Sequence, residues 1–128
     1  FINNAIYGMT GGQMAPTTLL GQRATTAPEG RQKPLHGAPM GVCELLSTLE
    51  GLVYAERVCV GDVPHLLRAK KAIRTAFTRQ LQGEGFTLVE VLCACPTNWG
   101  MSPLEANEWV KGPMAECYPL GVIKEGTL

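Results

Sequence analysis

The sequence lacks an excess of charge of either sign, and it lacks long apolar runs. Its 128 residues include 11 basic and 11 acidic side chains, so charge does not point to nucleic acid or an anionic membrane as a partner. No stretch approaches the roughly 20 apolar residues that a membrane-spanning helix needs. No charged-then-apolar segment resembles a signal peptide. We therefore expect a cytoplasmic protein without nucleic-acid or membrane partners.

The number of cysteines indicates the redox environment of the protein, and the first residues indicate where the chain begins within its domain. Five cysteines cannot all pair within the chain, and in a cytoplasmic protein they suggest thiols or metal ligands rather than disulfides. The length and the 45% of hydrophobic residues suit one domain or part of one. Phe1 and Ile2 read as the end of a strand without its beginning, so we expect the chain to start partway through a domain.

Hydrophobic periodicity predicts alternating strands and helices. The predicted elements are a strand end at 1–2, helices over 41–50 and 62–81, strands over 52–60 and 86–92, and a short helix capped by Ser102. This order predicts α/β architecture with a mostly parallel sheet flanked by helices. The nearly continuous apolar run of 86–92 is typical of a strand buried on both faces.

The longest predicted helix has one apolar face, and two segments of the chain show no periodicity. One apolar stripe marks the core-facing side of the long helix and comprises Leu66, Ala69, Ile73, Phe77 and Leu81. Residues 8–39, rich in Gly, Pro and Thr, predict a long functional loop. From Lys111 onward we expect an irregular tail, in which YPLGVIK packs against something larger.

Ligands of open parallel sheets collect beyond the carboxyl ends of strands, and polar groups follow the first such end here. An amide oxygen of Asn3 or Asn4 and the backbone carbonyl of Ile6 are oxygens of the kind that Mg²⁺ prefers. The glycines at 8, 11 and 12 would let the backbone approach a phosphate closely. A glycine cluster of this kind is equally typical of a structural turn.

The string NNAIYGMTGGQMAPTT closely resembles the end of the thiamin diphosphate motif in the cofactor-binding (beta) subunit of 2-oxoacid:ferredoxin oxidoreductases. The strings ATTAPEG, GFTLVEVLCACPT, WGMSPLEANEWV and YPLGVIK follow in the order of that family. The resemblance implies the C-terminal part of a single thiamin diphosphate-binding domain. Its parts would be a cofactor loop region at 1–40, a strand–helix–strand core at 41–100, and a C-terminal helix and tail at 101–128.

The resemblance implies roles for individual residues, and none of them is a catalytic side chain. Asn4 matches the side-chain ligand of Mg²⁺, and Ile6 matches the backbone-carbonyl ligand. Asn3 fits the pattern or only shapes the turn. The matches to cofactor-binding positions are Gly8 and Met9 beside the diphosphate and thiazolium, Thr10 in the surrounding loop, and Cys95 as the fourth thiolate of a [4Fe-4S] cluster.

The activity implied by the resemblance is decarboxylation of a 2-oxoacid with coenzyme A, which yields acyl-CoA, CO₂ and reduced ferredoxin. Alpha subunits would complete the active site and ferredoxin would accept the electrons, so the chain alone is not expected to be active. Met9 stands where pyruvate-type relatives place a polar amide, which favours 2-oxoglutarate or a branched-chain 2-oxoacid. The alternatives are a pyruvate:ferredoxin oxidoreductase and a non-catalytic interaction module.

The remaining thiols and imidazoles predict structural roles. We expect Cys93 to be structural, although its spacing from Cys95 would suit a metal site. Small buried hydrophobes are predicted at the other cysteines, Cys43, Cys59 and Cys117. His36 and His65 have no cysteine or carboxylate partner at a convincing spacing, which favours solvated or hydrogen-bonded histidines.

Overall fold

A computed structural model describes residues 1–126 and shows an α/β fold with one four-stranded sheet. The strand order is β1-β3-β2-β4, in which the first three strands are parallel and β4 is antiparallel. The predicted mostly parallel sheet flanked by helices is therefore confirmed. The strands are β1 (Ile2–Asn3), β2 (Leu52–Cys59), β3 (Phe86–Leu92) and β4 (Gly121–Glu125).

Helices cover both faces of this sheet and extend beyond its carboxyl edge. They are α1 (Lys33–His36), α2 (Val42–Ser47), α3 (Val63–Leu81), α4 (Pro96–Trp99), α5 (Pro103–Trp109), a π-helical turn (Val110–Met114) and α6 (Ala115–Cys117). Within the described part of the chain, none of these helices has the length and apolar character to cross a membrane. The helix predicted over 41–50 is shorter than expected because Thr48 already caps it.

The long helix α3 packs on β2 and β3 through alanines. The Asp62 side chain accepts a hydrogen bond from the backbone N–H of His65 at 3.0 Å and so caps the first turn. Ala69 and Ala72 pack against Val58 and Val91 of the sheet. Small side chains let the helix backbone approach the strands closely, so the buried face of α3 is an alanine face.

The predicted apolar stripe of α3 was wrong as a description of its core face. Of its five members only Ala69 is buried, and the others, Leu66, Ile73, Phe77 and Leu81, are exposed. These large side chains lie beside the alanine face. The line of large apolar residues is therefore rotated around the helix axis relative to the line of alanines that contacts the sheet. Strand β3 is likewise buried only at its carboxyl-terminal half, not throughout.

The opposite face of the sheet carries a buried ion pair. Arg57 of β2 donates from Nε to Oε2 of Glu90 of β3 at 2.8 Å, and both side chains are fully buried. The Arg57 guanidinium also donates to both carboxylate oxygens of Glu44 on α2, at 2.9 and 2.6 Å. Asn3 of β1 donates to the second oxygen of Glu90 at 2.8 Å. One cluster of charges therefore ties three strands and a helix together.

Residues 8–39 form a long and mostly irregular loop, as predicted, with α1 as a single helical turn inside it. Arg31 is buried in this loop and donates to six backbone carbonyls. These acceptors are Ala15, Pro16, Thr18, His36, Gly37 and Ala38. One guanidinium thus satisfies the backbone carbonyls that neighbouring strands would satisfy in a sheet.

The prediction of an irregular tail from Lys111 was wrong. The chain stays helical through Cys117, and β4 then pairs antiparallel with β2, with Tyr54 opposite Glu125. The segment YPLGVIK therefore packs on this chain's own sheet. A five-residue edge strand is too short to show a clear alternation, which is why the pattern missed it. The last two residues of the predicted tail, 127–128, lie outside the described residues.

Replacing Glu90 by glutamine tests how much the buried ion pair contributes to the stability of the fold. Glutamine keeps the shape but removes the fully buried partner of Arg57, and Glu44 remains as its carboxylate partner. Breaking a buried pair costs about 3–5 kcal/mol when no other partner remains, which is the upper bound here. We expect Glu90→Gln to lower the free energy of unfolding by up to that amount in urea titrations followed by circular dichroism. Glu50→Gln removes an exposed carboxylate and is the matched control. Equal unfolding midpoints for the two variants would contradict the assignment.

Candidate cofactor site

The candidate site lies where β1 and β3 end side by side. The two strands are parallel, with Asn3 opposite Leu92. The backbone N–H of Cys93 donates to the carbonyl of Asn3 at 3.0 Å, so pairing continues just past the strand ends. The two segments that carried the sequence prediction, one at Asn4 and one at Cys95, therefore leave the sheet at the same edge.

The turn that follows β1 is held in an unusual backbone conformation. Ala5 has a φ of 57° and is completely buried, a left-handed conformation that costs a non-glycine residue about 1–2 kcal/mol. The Asn3 Oδ1 accepts a hydrogen bond from the N–H of Ala5 at 3.0 Å. The Thr18 hydroxyl donates to the carbonyl of Ala5 at 2.7 Å. Both sides of the strained peptide are thus fixed by buried side chains.

This arrangement separates the roles of the two asparagines. Asn3 is buried, and its amide bonds to Glu90 and Ala5, so it shapes the turn. Asn4 is only half-buried and lines the cavity at the sheet edge. Its Oδ1 accepts from the N–H of Ile6 at 3.3 Å. Asn4 is therefore the one of the two whose amide oxygen is placed to reach a ligand.

The glycine loop after Ile6 closes on itself. Tyr7 and Gln13 form an isolated antiparallel bridge, in which the N–H of Tyr7 donates to the Gln13 carbonyl at 3.0 Å. The Thr10 hydroxyl donates to Gln13 Oε1 at 2.7 Å, which steadies the tip of the loop. Gly12 turns with a φ of 76°. Met9 stands at the tip with its side chain fully exposed.

The segment after β3 meets this loop through side chains of α4. Asn98 donates from Nδ2 to the Cys95 sulfur at 3.3 Å and to the carbonyl of Gly8 at 3.3 Å. Trp99 donates from its indole nitrogen to the carbonyl of Asn4 at 3.1 Å. Sequence reasoning missed both residues. The only available signal was their position in the short CPTNW string directly after a candidate ligand.

All six predicted site residues surround one cavity of about 520 Å³ at this edge. Its lining consists of Asn4, Ile6, Tyr7, Gly8, Met9, Thr10, Cys95, Thr97 and Asn98. The structure thus brings together two segments that lie about ninety residues apart in the sequence. Their roles as ligands remain predictions.

The chemistry of the lining suits the groups that the resemblance implies. Amide and carbonyl oxygens at Asn4 and Ile6 are hard donors of the kind that Mg²⁺ takes, and the half-buried Cys95 offers a thiol of the kind that iron–sulfur clusters take. A Cβ added at Gly8 would lie 3.0 Å from Asn98 Nδ2 and 3.1 Å from the Cys95 sulfur, so the loop backbone itself borders the cavity. Residues 1–126 contain no group of three or more His, Cys, Asp or Glu side chains that could hold a metal together.

Cys43 and Cys59 follow the prediction, Cys117 does not, and the structural role of Cys93 stays a prediction. Cys43 and Cys59 are buried, and burial raises the pKa of both thiols. Cys93 is half-buried, and its pKa is raised by burial and by the nearby Cys95. Cys117, predicted to be buried, is exposed instead. It is the last residue of α6, where the next residue, Tyr118, fills the core position.

The histidines are hydrogen-bonded and lie outside the cavity. His36 accepts at Nδ1 from the N–H of Gln32 at 2.9 Å. His65 Nδ1 lies 2.6 Å from Asp62 Oδ1, so it does have a carboxylate partner, contrary to the expectation from spacing. That carboxylate is the helix cap three residues earlier, a local contact that a search for distant ligand spacing overlooks.

Comparison with known proteins gives relatives of one class. The chain is 44% identical to ketoisovalerate oxidoreductase subunit VorA of Methanothermobacter thermautotrophicus over 94% of this chain and 25% of the relative. It is 38% identical to 2-oxoglutarate synthase subunit KorB of Methanocaldococcus jannaschii over 77% of this chain and 32% of the relative. It is 32% identical to pyruvate synthase subunit PorB of Pyrococcus furiosus over 98% of this chain and 36% of the relative.

These relatives are all subunits of enzymes named for a 2-oxoacid. The chain is homologous over most of its length to these subunits of 2-oxoacid oxidoreductases. It spans between a quarter and about a third of the length of the three relatives described. No protein-family model matches the chain, and no solved structure matches it significantly.

Two glycines with the same backbone conformation test how tightly the loop is packed. Gly12 and Gly21 have φ values of 76° and 77°. A Cβ at Gly12 would lie 2.9 Å from Asn98 Oδ1, whereas a Cβ at Gly21 would meet no atom within 4 Å. Both alanine variants carry the left-handed strain of about 1–2 kcal/mol, and only Gly12→Ala adds crowding of about 1–3 kcal/mol.

We therefore expect Gly12→Ala to destabilise the chain more than Gly21→Ala in urea unfolding. In an Asn98→Ala background the crowding disappears, and the cost of Gly12→Ala should fall to that of Gly21→Ala. Equal costs of the two single variants would show that Asn98 does not press on the loop.

The raised pKa of Cys43 predicts a loss of stability at high pH. Burial and a hydrogen bond to Glu90 raise the pKa of the thiol from 9.0 to about 12. Above the ordinary value the unfolded chain has lost the proton that the folded chain still holds, so the contribution to stability falls as pH rises toward the folded value. The slope is at most ~1.4 kcal/mol per pH unit.

The measurement compares unfolding free energies of the wild type and of Cys43→Ser between about pH 8 and about pH 11. Serine does not titrate in this range, so the wild type should lose stability relative to the variant as the pH rises. Profiles that stay parallel would contradict the buried-thiol assignment.

Proposed function

We propose that this chain is the thiamin diphosphate-binding part of the beta subunit of a 2-oxoacid:ferredoxin oxidoreductase. In that enzyme a 2-oxoacid and coenzyme A give acyl-CoA, CO₂ and reduced ferredoxin. The observation that carries the proposal is one cavity at the carboxyl edge of β1 and β3. All six residues named from the sequence alone surround it.

Asn4, Ile6 and the glycine loop form the diphosphate end of the proposed site. The side-chain oxygen of Asn4 and the backbone carbonyl of Ile6 would hold Mg²⁺, which usually shares its coordination with phosphate oxygens. Gly8, Met9 and Thr10 would lie along the diphosphate and the thiazolium, and Gly8, which has no side chain, would permit close approach of its backbone. Bound thiamin diphosphate supplies the electron sink for decarboxylation, and the protein supplies its position.

Cys95 forms the electron-transfer end. We assign its sulfur as one thiolate ligand of a [4Fe-4S] cluster, with the other three ligands from outside the described residues. Cys95 and Asn4 line the same cavity, which would place the cluster beside the cofactor that releases electrons. The proposed partners are the alpha subunits and ferredoxin, and the balanced charge and the odd number of thiols support a cytoplasmic enzyme.

The substrate that we favour is 2-oxoglutarate or a branched-chain 2-oxoacid. Met9 presents an apolar, fully exposed side chain at the mouth of the cavity. The identity to the ketoisovalerate and 2-oxoglutarate relatives, 44% and 38%, exceeds the 32% to the pyruvate relative. Pyruvate remains the second candidate, because the match to pyruvate synthase subunit PorB extends over 98% of this chain.

The decisive experiment replaces Cys95 in the complete oxidoreductase, produced anaerobically together with its partner subunits. We expect Cys95→Ala to remove the iron, the acid-labile sulfide and the electron paramagnetic resonance signal of one cluster. Cys93→Ala is the matched control, since it removes a neighbouring thiol that we assign as structural, and it should retain that cluster. A full cluster content in Cys95→Ala would rule out the assignment, and a purified wild-type complex without clusters and without activity would favour the non-catalytic module.

A further inference from the structure

Asn98 joins the two halves of the candidate site. Its amide nitrogen contacts the Cys95 sulfur and the Gly8 carbonyl, each at 3.3 Å. Its amide oxygen faces Gly12, where an added Cβ would lie only 2.9 Å away. One side chain thus touches the predicted cluster ligand and both ends of the glycine loop.

The orientation of the Asn98 amide follows from its partners. The carbonyl of Gly8 can only accept a hydrogen bond, so the nitrogen of the amide must face it. An NH₂ group carries two hydrogens, and the second is directed to the Cys95 sulfur. Asn98 therefore donates to the sulfur and does not accept from it.

The position of Asn98 relative to Cys95 is fixed by α4. Cys95 occupies the N-cap position of this helix, and Asn98 is three residues further on, which places both on one side of the turn. The N–H of Trp99 donates to the Cys95 carbonyl at 3.0 Å, and Gly100 ends the helix in the left-handed conformation. The Trp99 ring packs against Trp109 in a tilted arrangement, with the ring centroids 4.5 Å apart. The sulfur and its donor are therefore held by a packed element.

We propose that the N–H of Asn98 donates to the cluster sulfur of Cys95 and thereby raises the reduction potential of the cluster. This inference rests on the proposed function. A hydrogen bond to a ligand sulfur stabilises the reduced form, which carries the additional negative charge. Because the same amide holds Gly8, Asn98 is a positioning residue that sets the sulfur against the cofactor loop.

The test is an anaerobic redox titration of the complete oxidoreductase, followed by electron paramagnetic resonance. The signal of the Cys95 cluster is identified as the one that Cys95→Ala removes. We expect Asn98→Ala and Asn98→Asp to retain the iron and sulfide content and to shift this signal to a lower potential. The shift should be larger for Asn98→Asp, since a carboxylate loses the donor and adds negative charge beside the sulfur.

Asn107→Ala and Asn107→Asp are the matched controls, because they make the same chemical changes at a half-buried asparagine outside the cavity. They should leave the potential unchanged. An unchanged potential in both Asn98 variants, or loss of the cluster from both, would overturn this inference alone. A wild type without a cluster, or a cluster untouched by Cys95→Ala, would overturn the proposed function and this inference with it.

Discussion

The buried ion pair between Arg57 and Glu90 is the interaction on which the rest of the structure depends. Two charges without solvent are tolerable only when every polar atom around them has a partner. Here the partners come from distant parts of the chain, namely Asn3 of β1, Glu44 of α2 and the carbonyl of Pro119 before β4. The requirement to satisfy these charges therefore sets where β1, α2 and the C-terminal segment lie.

The same pair reaches the candidate site through Asn3. The amide of Asn3 donates to Glu90 on one side, and its oxygen accepts from Ala5 on the other. The strained turn that presents Asn4 and Ile6 is thus anchored to the most deeply buried charges of the fold. On the far side of the loop, the Tyr118 hydroxyl donates to the Thr17 carbonyl at 2.7 Å, and the Arg57 guanidinium lies 5.4 Å from the centre of the Tyr118 ring. Site and core share one hydrogen-bonded network.

Much of this arrangement was predictable from the sequence, and the limits have physical causes. The strands over 52–60 and 86–92 and the helix over 62–81 follow from periodicity, and the positions of Asn4 and Cys95 at strand ends follow from the rule for parallel sheets. The core face of α3 did not follow, because alanines give a weak hydrophobic signal although they pack closest. The contacts of Arg57, Glu90 and Asn98 could not be predicted from local sequence patterns, because each joins segments far apart in the chain.

The left-handed conformation of Ala5 affects how much the turn would have to change when a ligand binds. Its peptide is fixed on both sides before any ligand arrives, by Asn3 and by Thr18. These hydrogen bonds restrict the turn that carries Asn4 and Ile6, so association has less conformational freedom to remove. The conformational cost of the turn is incurred during folding, so a ligand at this site would meet a backbone that is already in position.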